Sequence, residues 1–381
     1  MADHDFADRA TADRGVHAAA DRAVRRWLGD DLAGPPTACA ASGFSGAGVY
    51  LVSRRSTGER FILKAFAAAT PPARAAWVHG LMRHLRQAGV REVAGLIETP
   101  GAARQTLVAE DGTLWELSQC IVGRPIDEPT PAQAAAATTV LARLHRAAAT
   151  LPDAAAVAPS PGLVRRVEQA LRLAARPWDA AGFAMVSDTA SHRRVEAADD
   201  LAAQVRTRFA RAAGIFDRLG GRRAVAGVAG WSAGPLPTQA VLRDCWCDHV
   251  LFATDAPARV AGVIDFHAAG IDTPAIDLAR LLGSWGPPAG PTGSGSLLDR
   301  WADAIAAYEA VRPLTATERR LIDPLAATAV VFGLDNWFRW TLTEGRSFAH
   351  PAAVLRRIDL LVAGLPDALA RLHDLPAAGP L

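Results

Sequence analysis

The chain has 381 residues, 50% of them hydrophobic, with 41 basic against 39 acidic side chains for a net charge of +2. That balance excludes a strongly basic nucleic-acid binder and an acidic disordered tail, and the length suffices to bury a core without staples. Four cysteines (Cys39, Cys120, Cys245, Cys247) are too few for a disulfide scaffold; the opening residues lack a secretory signal's basic-then-apolar pattern, and no apolar run is long enough for a membrane span, so the expectation is cytoplasmic.

Residues 1–33 read as a helical extension. Val16, Ala20, Val24 and Leu28 recur every four positions among arginines and aspartates, and Gly34-Pro35-Pro36 ends the pattern. Residues 38–64 predict two strands about a turn at RSTGER. The first follows Gly43-x-x-Gly46-x-Gly48, and the second, RFILKAF, carries Lys64. Pro71-Pro72 opens a helix over 71–88, with Trp77, Leu81 and Leu85 spaced by four. Strand-like stretches at Gln105–Ala109 and Leu114–Val122 flank the Glu110-Asp111-Gly112 turn. Residues 34–123 therefore predict a small antiparallel β lobe with one main helix.

Beyond residue 124 the composition changes. Thr130-Pro131 is an N-cap followed by proline at the first helical position, and the helix runs through Val140, Leu141, Leu144 and Ala148. Residues 152–162 are rich in Pro, Ala and Ser and read as a linker. Two helices are expected in 163–220, the second with Leu201, Val205, Phe209, Phe216 and Leu219 on one face; residues 151–237 or so form a helical insert. Strand character returns over 238–266. After residue 273 the pattern is helical, with a capping box at Thr315 and Glu318 and a face of Ile322, Leu325, Val331, Leu334 and Trp337. Residues 287–296 read as a flexible Gly/Pro/Ser-rich loop. Residues 124–381 thus predict a larger, mostly helical lobe, with 238–285 as its chemically loaded segment, and the whole reads as a two-lobed α+β fold.

One count is unusual. Lys64 is the one lysine among the 41 basic residues, in a chain whose composition suggests G+C-rich codons. A lysine that persists under such pressure marks a site where a planar guanidinium does not replace a compact ammonium. Three other features share its context in a fixed order: the glycine turn before it, Asp244-x-x-x-x-His249-Val250-Leu251-Phe252 far downstream, and then Val263-Ile264-Asp265-Phe266. A glycine turn lets backbone N–H groups approach phosphates, a strand lysine reaches phosphate oxygens, one aspartate accepts a hydroxyl proton, and a second holds Mg²⁺. These are the parts of phosphoryl transfer.

On these residues the sequence resembles the aminoglycoside phosphotransferase-like family, a branch of the protein-kinase-like fold. Leu242-Arg243-Asp244 through His249-Val250-Leu251 is similar to the family's catalytic segment, Val263-Ile264-Asp265-Phe266 to its metal-binding strand end, and Asp277-Leu278-Ala279-Arg280 to its Asp-Leu-Ala step. Leu141-Ala-Arg-Leu144-His145 matches a helix end, and Trp115-Glu116-Leu117 resembles the segment that holds adenine. The resemblance implies Asp244 as catalytic aspartate, Asp265 with His249 at the metal, and Gly46, Gly48 and Lys64 at the phosphates. It also implies Glu116, Leu117, Ser118, Gln119 and Cys120 as a hinge offering backbone groups to the base, and Asp277 as a brace of the catalytic loop.

The implied activity is transfer of the terminal phosphate of ATP or GTP, with Mg²⁺ or Mn²⁺, to a small hydroxylated acceptor, with no nucleic acid, membrane or obligate protein partner. Two departures supply the alternative, a catalytically silent kinase-like binding module. His249 stands where the family has a metal-binding asparagine, and residues 65–91 lack the helix glutamate that pairs with the lysine, with His79 near its expected position. A third reading, a Zn²⁺ cluster of Cys245, Cys247 and His249, requires an extended segment with those three side chains on one side. The insert carries 12 arginines against 8 acidic residues over 151–240, a surplus that suits a neutral or anionic acceptor better than a polycation.

Overall fold

In the computed structural model of the chain, the described residues are 17–39, 48–152, 156–178, 196–231, 234–285, 297–346, 348 and 350–375. Val16, Gly43, Gly46 and the stretch 287–296 lie outside them. The chain divides into two units: residues 1–124, 251–256 and 260–267 form one, and residues 125–250, 257–259 and 268–381 the other.

The first unit holds helix α1 (17–28), strands β1 (Thr37–Ala38), β2 (Val49–Ser53) and β3 (Arg60–Ala65), helix α2 (Pro72–Gln87), and strands β4 (Leu107–Glu110) and β5 (Thr113–Gln119). The strands form one antiparallel sheet in the order β1-β2-β3-β5-β4. Alternation decides its faces. Phe61 and Leu63 of β3, with Trp115 and Leu117 of β5, enter the core, where they meet Ala20, Val24, Trp27 and Leu28 of α1. Helix α1 is therefore part of the sheet's core rather than an appendage. Lys64 and Glu116 are register partners on the opposite face. Helix α2 buries Val78, His79, Leu81 and Leu85, while Trp77 is half-buried under Arg74. A hairpin of strands Val250–Phe252 and Val260–Val263 leads to Asp265.

The second unit is mostly helical. Helix α3 (Pro131–Ala148) starts at the expected cap, with Thr130 and Gln133 bonding each other's backbone. Further helices span Pro161–Ala175, Glu196–Arg218, Gly221–Ala229, Ala275–Ser284, Ala302–Glu309, Ala316–Phe338 and Pro351–His373. The predicted Thr315–Glu318 capping box is present. The proposed linker over 152–162 is instead structural. Residues Ala156–Pro159 form an edge strand paired with Pro235–Val241, and Ser160 caps the next helix. Prolines suit that place because an edge strand can spare N–H groups. Gly270–Asp272 pairs on the other side of Pro235–Val241. Leu201, Val205, Phe209 and Phe216 are buried as expected, but Leu219 lies beyond the Glu196–Arg218 helix and is exposed. Trp337 packs against Trp340 and Phe348 in an aromatic cluster. Among the described residues no helix is long and apolar enough to cross a membrane.

Candidate active site

In the sheet unit, the structure brings together residues 201 apart in sequence: Lys64 Nζ donates to Asp265 Oδ1 at 2.6 Å. The side chains retain 14% and 31% of their exposure, so the pair is shielded but reachable. Asp265 adopts φ +63°, a left-handed conformation that a non-glycine residue takes at a cost of about 1–2 kcal/mol. The turn after it is tied down twice. His267 stacks on Phe66 at 4.0 Å, and Arg74 of α2 donates to the His267 carbonyl at 3.1 Å. Gly48 is the described member of the glycine turn. A Cβ there would lie 2.8 Å from the Tyr50 ring, so any side chain would require the ring to shift.

Glu116 has a different place from the one the resemblance implied. Its carboxylate is buried, accepting from His79 Nε2 at 2.7 Å and from His267 Nε2 at 3.3 Å. His79 Nδ1 in turn pairs with Thr106 Oγ1 at 2.8 Å. Burial works against the charge, but the bonds from His267 and His79 outweigh it and hold the carboxyl well below its ordinary range. The backbone nearby is also engaged. Glu116, Leu117 and Ser118 pair with β3, Leu117 accepts from Ile97, Gln119 donates to Gly95, and Cys120 donates to Arg60. The sheet thus claims most of the groups expected of a hinge over Glu116–Cys120. Among the described residues, no backbone hydrogen bond is formed by residues 121–123, so available groups begin there.

In the helical unit, Asp244 follows Arg243, itself at φ +63°. Asp277, fully buried, braces this loop from the Ala275–Ser284 helix. Its Oδ2 accepts the Leu242 N–H at 2.7 Å and His145 Nε2 at 3.0 Å. A carboxylate only accepts, so His145 carries its proton on Nε2, and its Nδ1 takes the Tyr308 hydroxyl at 2.8 Å. Burial pushes the Tyr308 phenol up, which keeps it a donor. Arg243 is held by the Ile271 carbonyl at 2.6 Å and lies 3.6 Å from Asp272. Asp272 also accepts the Gly162 N–H and the Ser160 hydroxyl.

Asp244 Oδ1 accepts from Arg280 Nη2 at 2.9 Å, and the aspartate stays 41% exposed. Helical spacing of three puts Asp277 and Arg280 on one face, a signal for Arg280 that the sequence did carry.

His249 does not have the geometry of a metal ligand. The Trp246 indole N–H can only donate, so at 2.8 Å it uses the lone pair on His249 Nε2. The proton then sits on Nδ1, which donates to the Asp244 carbonyl at 2.6 Å. Both nitrogens are spent on the loop. The Zn²⁺ reading lacks the extended segment it requires. Cys247–His249 is a 3-10 turn, and burial raises the Cys245 and Cys247 thiols, the latter to about 11.

A five-stranded antiparallel sheet with one main helix, a helical unit and these two loop aspartates define the α+β, two-lobed protein-kinase-like fold. Residues 40–314 match the family described as "Phosphotransferase enzyme family", and the chain belongs to it. It is a small-molecule phosphotransferase. The chain is 27% identical over 316 residues to a homoserine kinase of Hyphomonas neptunium, covering 82% of this chain and 84% of that protein. Among solved structures it is similar to an aminoglycoside phosphotransferase from Alicyclobacillus acidocaldarius, with TM-score 0.53 and 15% identity over 92% of this chain and 94% of that one. A microcompartment-associated aminopropanol kinase is similar at TM-score 0.53 and 13% identity, over 92% and 97% of the two chains. At such identities these two structures speak for the fold.

Proposed function

We propose that the protein transfers the terminal phosphate of ATP or GTP to a hydroxyl of a small molecule. The observation that carries this reading is the 2.6 Å contact of Lys64 with Asp265, which makes one site of the lone lysine and the left-handed strand-end aspartate. Asp244 is the group that accepts the acceptor's proton. The hydroxyl oxygen forms a bond to phosphorus, the bond from phosphorus to the leaving diphosphate breaks, and the proton goes to the Asp244 carboxylate. Lys64 and the Gly46–Gly48 backbone steady the donor phosphates, and the groups at 121–123 hold the base.

Asp265 fits a divalent cation, because a carboxylate offers the hard oxygen that Mg²⁺ takes. Bound there, Mg²⁺ would neutralise charge on the terminal phosphates. His249 acts instead by holding the Asp244 carbonyl. Each residue that suggested a silent module therefore has a bonded role: His79 meets the Glu116 carboxylate, and His249 braces the loop.

Calorimetric titration of ATP and GTP, with Mg²⁺, with Mn²⁺ and with chelator, tests the donor site. Metal-dependent binding is expected, and Asp265→Ala should weaken it at least tenfold. Incubation with ATP and a panel of hydroxylated metabolites, homoserine first, tests transfer. Asp244→Ala should remove turnover and leave nucleotide affinity within about threefold. Absence of nucleotide binding under every metal condition, or a large loss of binding in Asp244→Ala, would overturn the assignment.

A further inference from the structure

Arg357 lies on the Pro351–His373 helix, outside every motif above. Its guanidinium stands 4.7 Å from the centre of the Trp246 ring. Arg280 approaches the same ring at 5.8 Å, and beside it the two arginines border a narrow recess, about water-sized, with Ser284, Ala326 and Leu361. Arg280 is bonded to Asp244. Arg357 has no such partner: among the described residues it makes no hydrogen bond and no ion pair, and its one specific contact is the indole face. Burial, followed by the charge of Arg280, pulls its pKa down to about 10, against the opposing fields of Asp248 and Asp244. It is still a cation at neutral pH.

A shielded cation without a counter-ion is costly, and two guanidiniums against one ring add repulsion. Asp244 is hydrogen-bonded to Arg280 and reaches Arg357 only through its field, as Asp248 does. A second negative group would complete the pocket, and the forked donors of a guanidinium suit an oxyanion that offers two oxygens. A cationic acceptor would meet repulsion here. The arginine surplus of the insert acts in the same direction over a longer range.

We propose that the acceptor is an anion, whose carboxylate or phosphate is gripped by Arg357 beside Arg280 while its hydroxyl reaches Asp244. The second half rests on the function proposed above; the anion site does not.

The test is equilibrium binding to the full-length protein, by calorimetry, of D-glycerate, L-malate and glycerol 3-phosphate. Neutral comparators are the matching amides and glycerol, and ethanolamine is the cationic one. At least one acid should bind about 30-fold more tightly than its neutral counterpart. Arg357→Gln should remove that preference, and Arg357→Lys, which keeps the charge but loses the fork, should retain part of it. Carboxylates and glycerol 3-phosphate separate the two sources of anion. Thermal melts and ADP affinity in each variant check that the fold is intact. Acids that bind no better than neutral counterparts, or a preference that survives Arg357→Gln, would overturn the proposal. Turnover with ATP separates the two readings. An anion preference without phosphorylation removes the transfer reading and leaves the site standing. Phosphorylation regardless of acceptor charge does the reverse.

Discussion

Glu116→Gln offers a quantitative test of the sheet unit. The carboxylate is 6% exposed and accepts from two imidazoles, one on α2 and one two residues beyond Asp265. The amide keeps one acceptor and presents an NH₂ group to the other ring, so one charge-assisted bond is lost. Such bonds contribute roughly 1.5–3 kcal/mol, which puts the cost at about 2 kcal/mol. The midpoint of thermal unfolding should fall by roughly 2–4 °C at pH 7. The pH dependence has a definite sign. The folded carboxyl lies below its unfolded value, so its contribution is complete above the unfolded value of about 4.3 and is lost as acid is added below it. The gap between wild type and variant should therefore narrow below about pH 4. Differential scanning calorimetry between pH 3 and 8 reads both effects. Because His267 follows Asp265 and Lys64 is the register partner of Glu116, the variant should also weaken metal-dependent nucleotide binding by about threefold to tenfold. An unchanged midpoint at pH 7, or a gap that widens in acid, would refute the reasoning.

Asp277→Ala should cost about 3–5 kcal/mol, because it strands the Leu242 N–H and the His145 ring in a site without solvent; a denaturant midpoint equal to wild type would contradict the brace. His249→Gln should lower turnover about tenfold through loss of the Trp246 and Asp244 bonds, yet leave the Mg²⁺ concentration dependence within about threefold. A large shift in metal dependence would return His249 to the metal.

Local chemistry made much of this fold readable. The capping boxes at Thr130 and Thr315 are decided within four residues, and the alternation in RFILKAF fixes the face on which Lys64 lies. The edge strand Ala156–Pro159 was hidden because its partner is about 80 residues away, at Pro235–Val241, and its own composition resembles a linker. The order of motifs singled out Lys64, Asp244 and Asp265 as candidates. It carried nothing of Arg357, whose relation to Trp246 spans more than a hundred residues and has no local pattern. The sheet's claim on the Glu116–Cys120 backbone was hidden for a subtler reason. Leu114–Val122 reads as a strand, but which of its backbone groups are spoken for depends on Ile97, which donates to the Leu117 carbonyl, and on Gly95, whose carbonyl accepts from Gln119.

Both departures from the family pattern keep an interaction while changing the residue that supplies it. A helix glutamate beside a strand lysine places a carboxylate between helix and sheet. Here the carboxylate comes from β5 and the helix supplies His79, so α2 and the sheet are still joined by a buried ionisable contact. Lys64, relieved of a helix partner, pairs with Asp265, and Arg74 of the same helix holds the turn that follows that aspartate. The helix still governs where Asp265 stands, through a backbone carbonyl rather than through the lysine. Imidazole at position 249 follows the same logic. It offers one donor and one acceptor, as an amide does, and spends them on the Asp244 carbonyl and the Trp246 indole. Trp246 is thereby fixed edge-on to His249, with its face toward Arg357. The substitution that removes a metal ligand is thus the one that orients the aromatic wall of the proposed anion pocket, which ties the loss at position 249 to the selection of the acceptor.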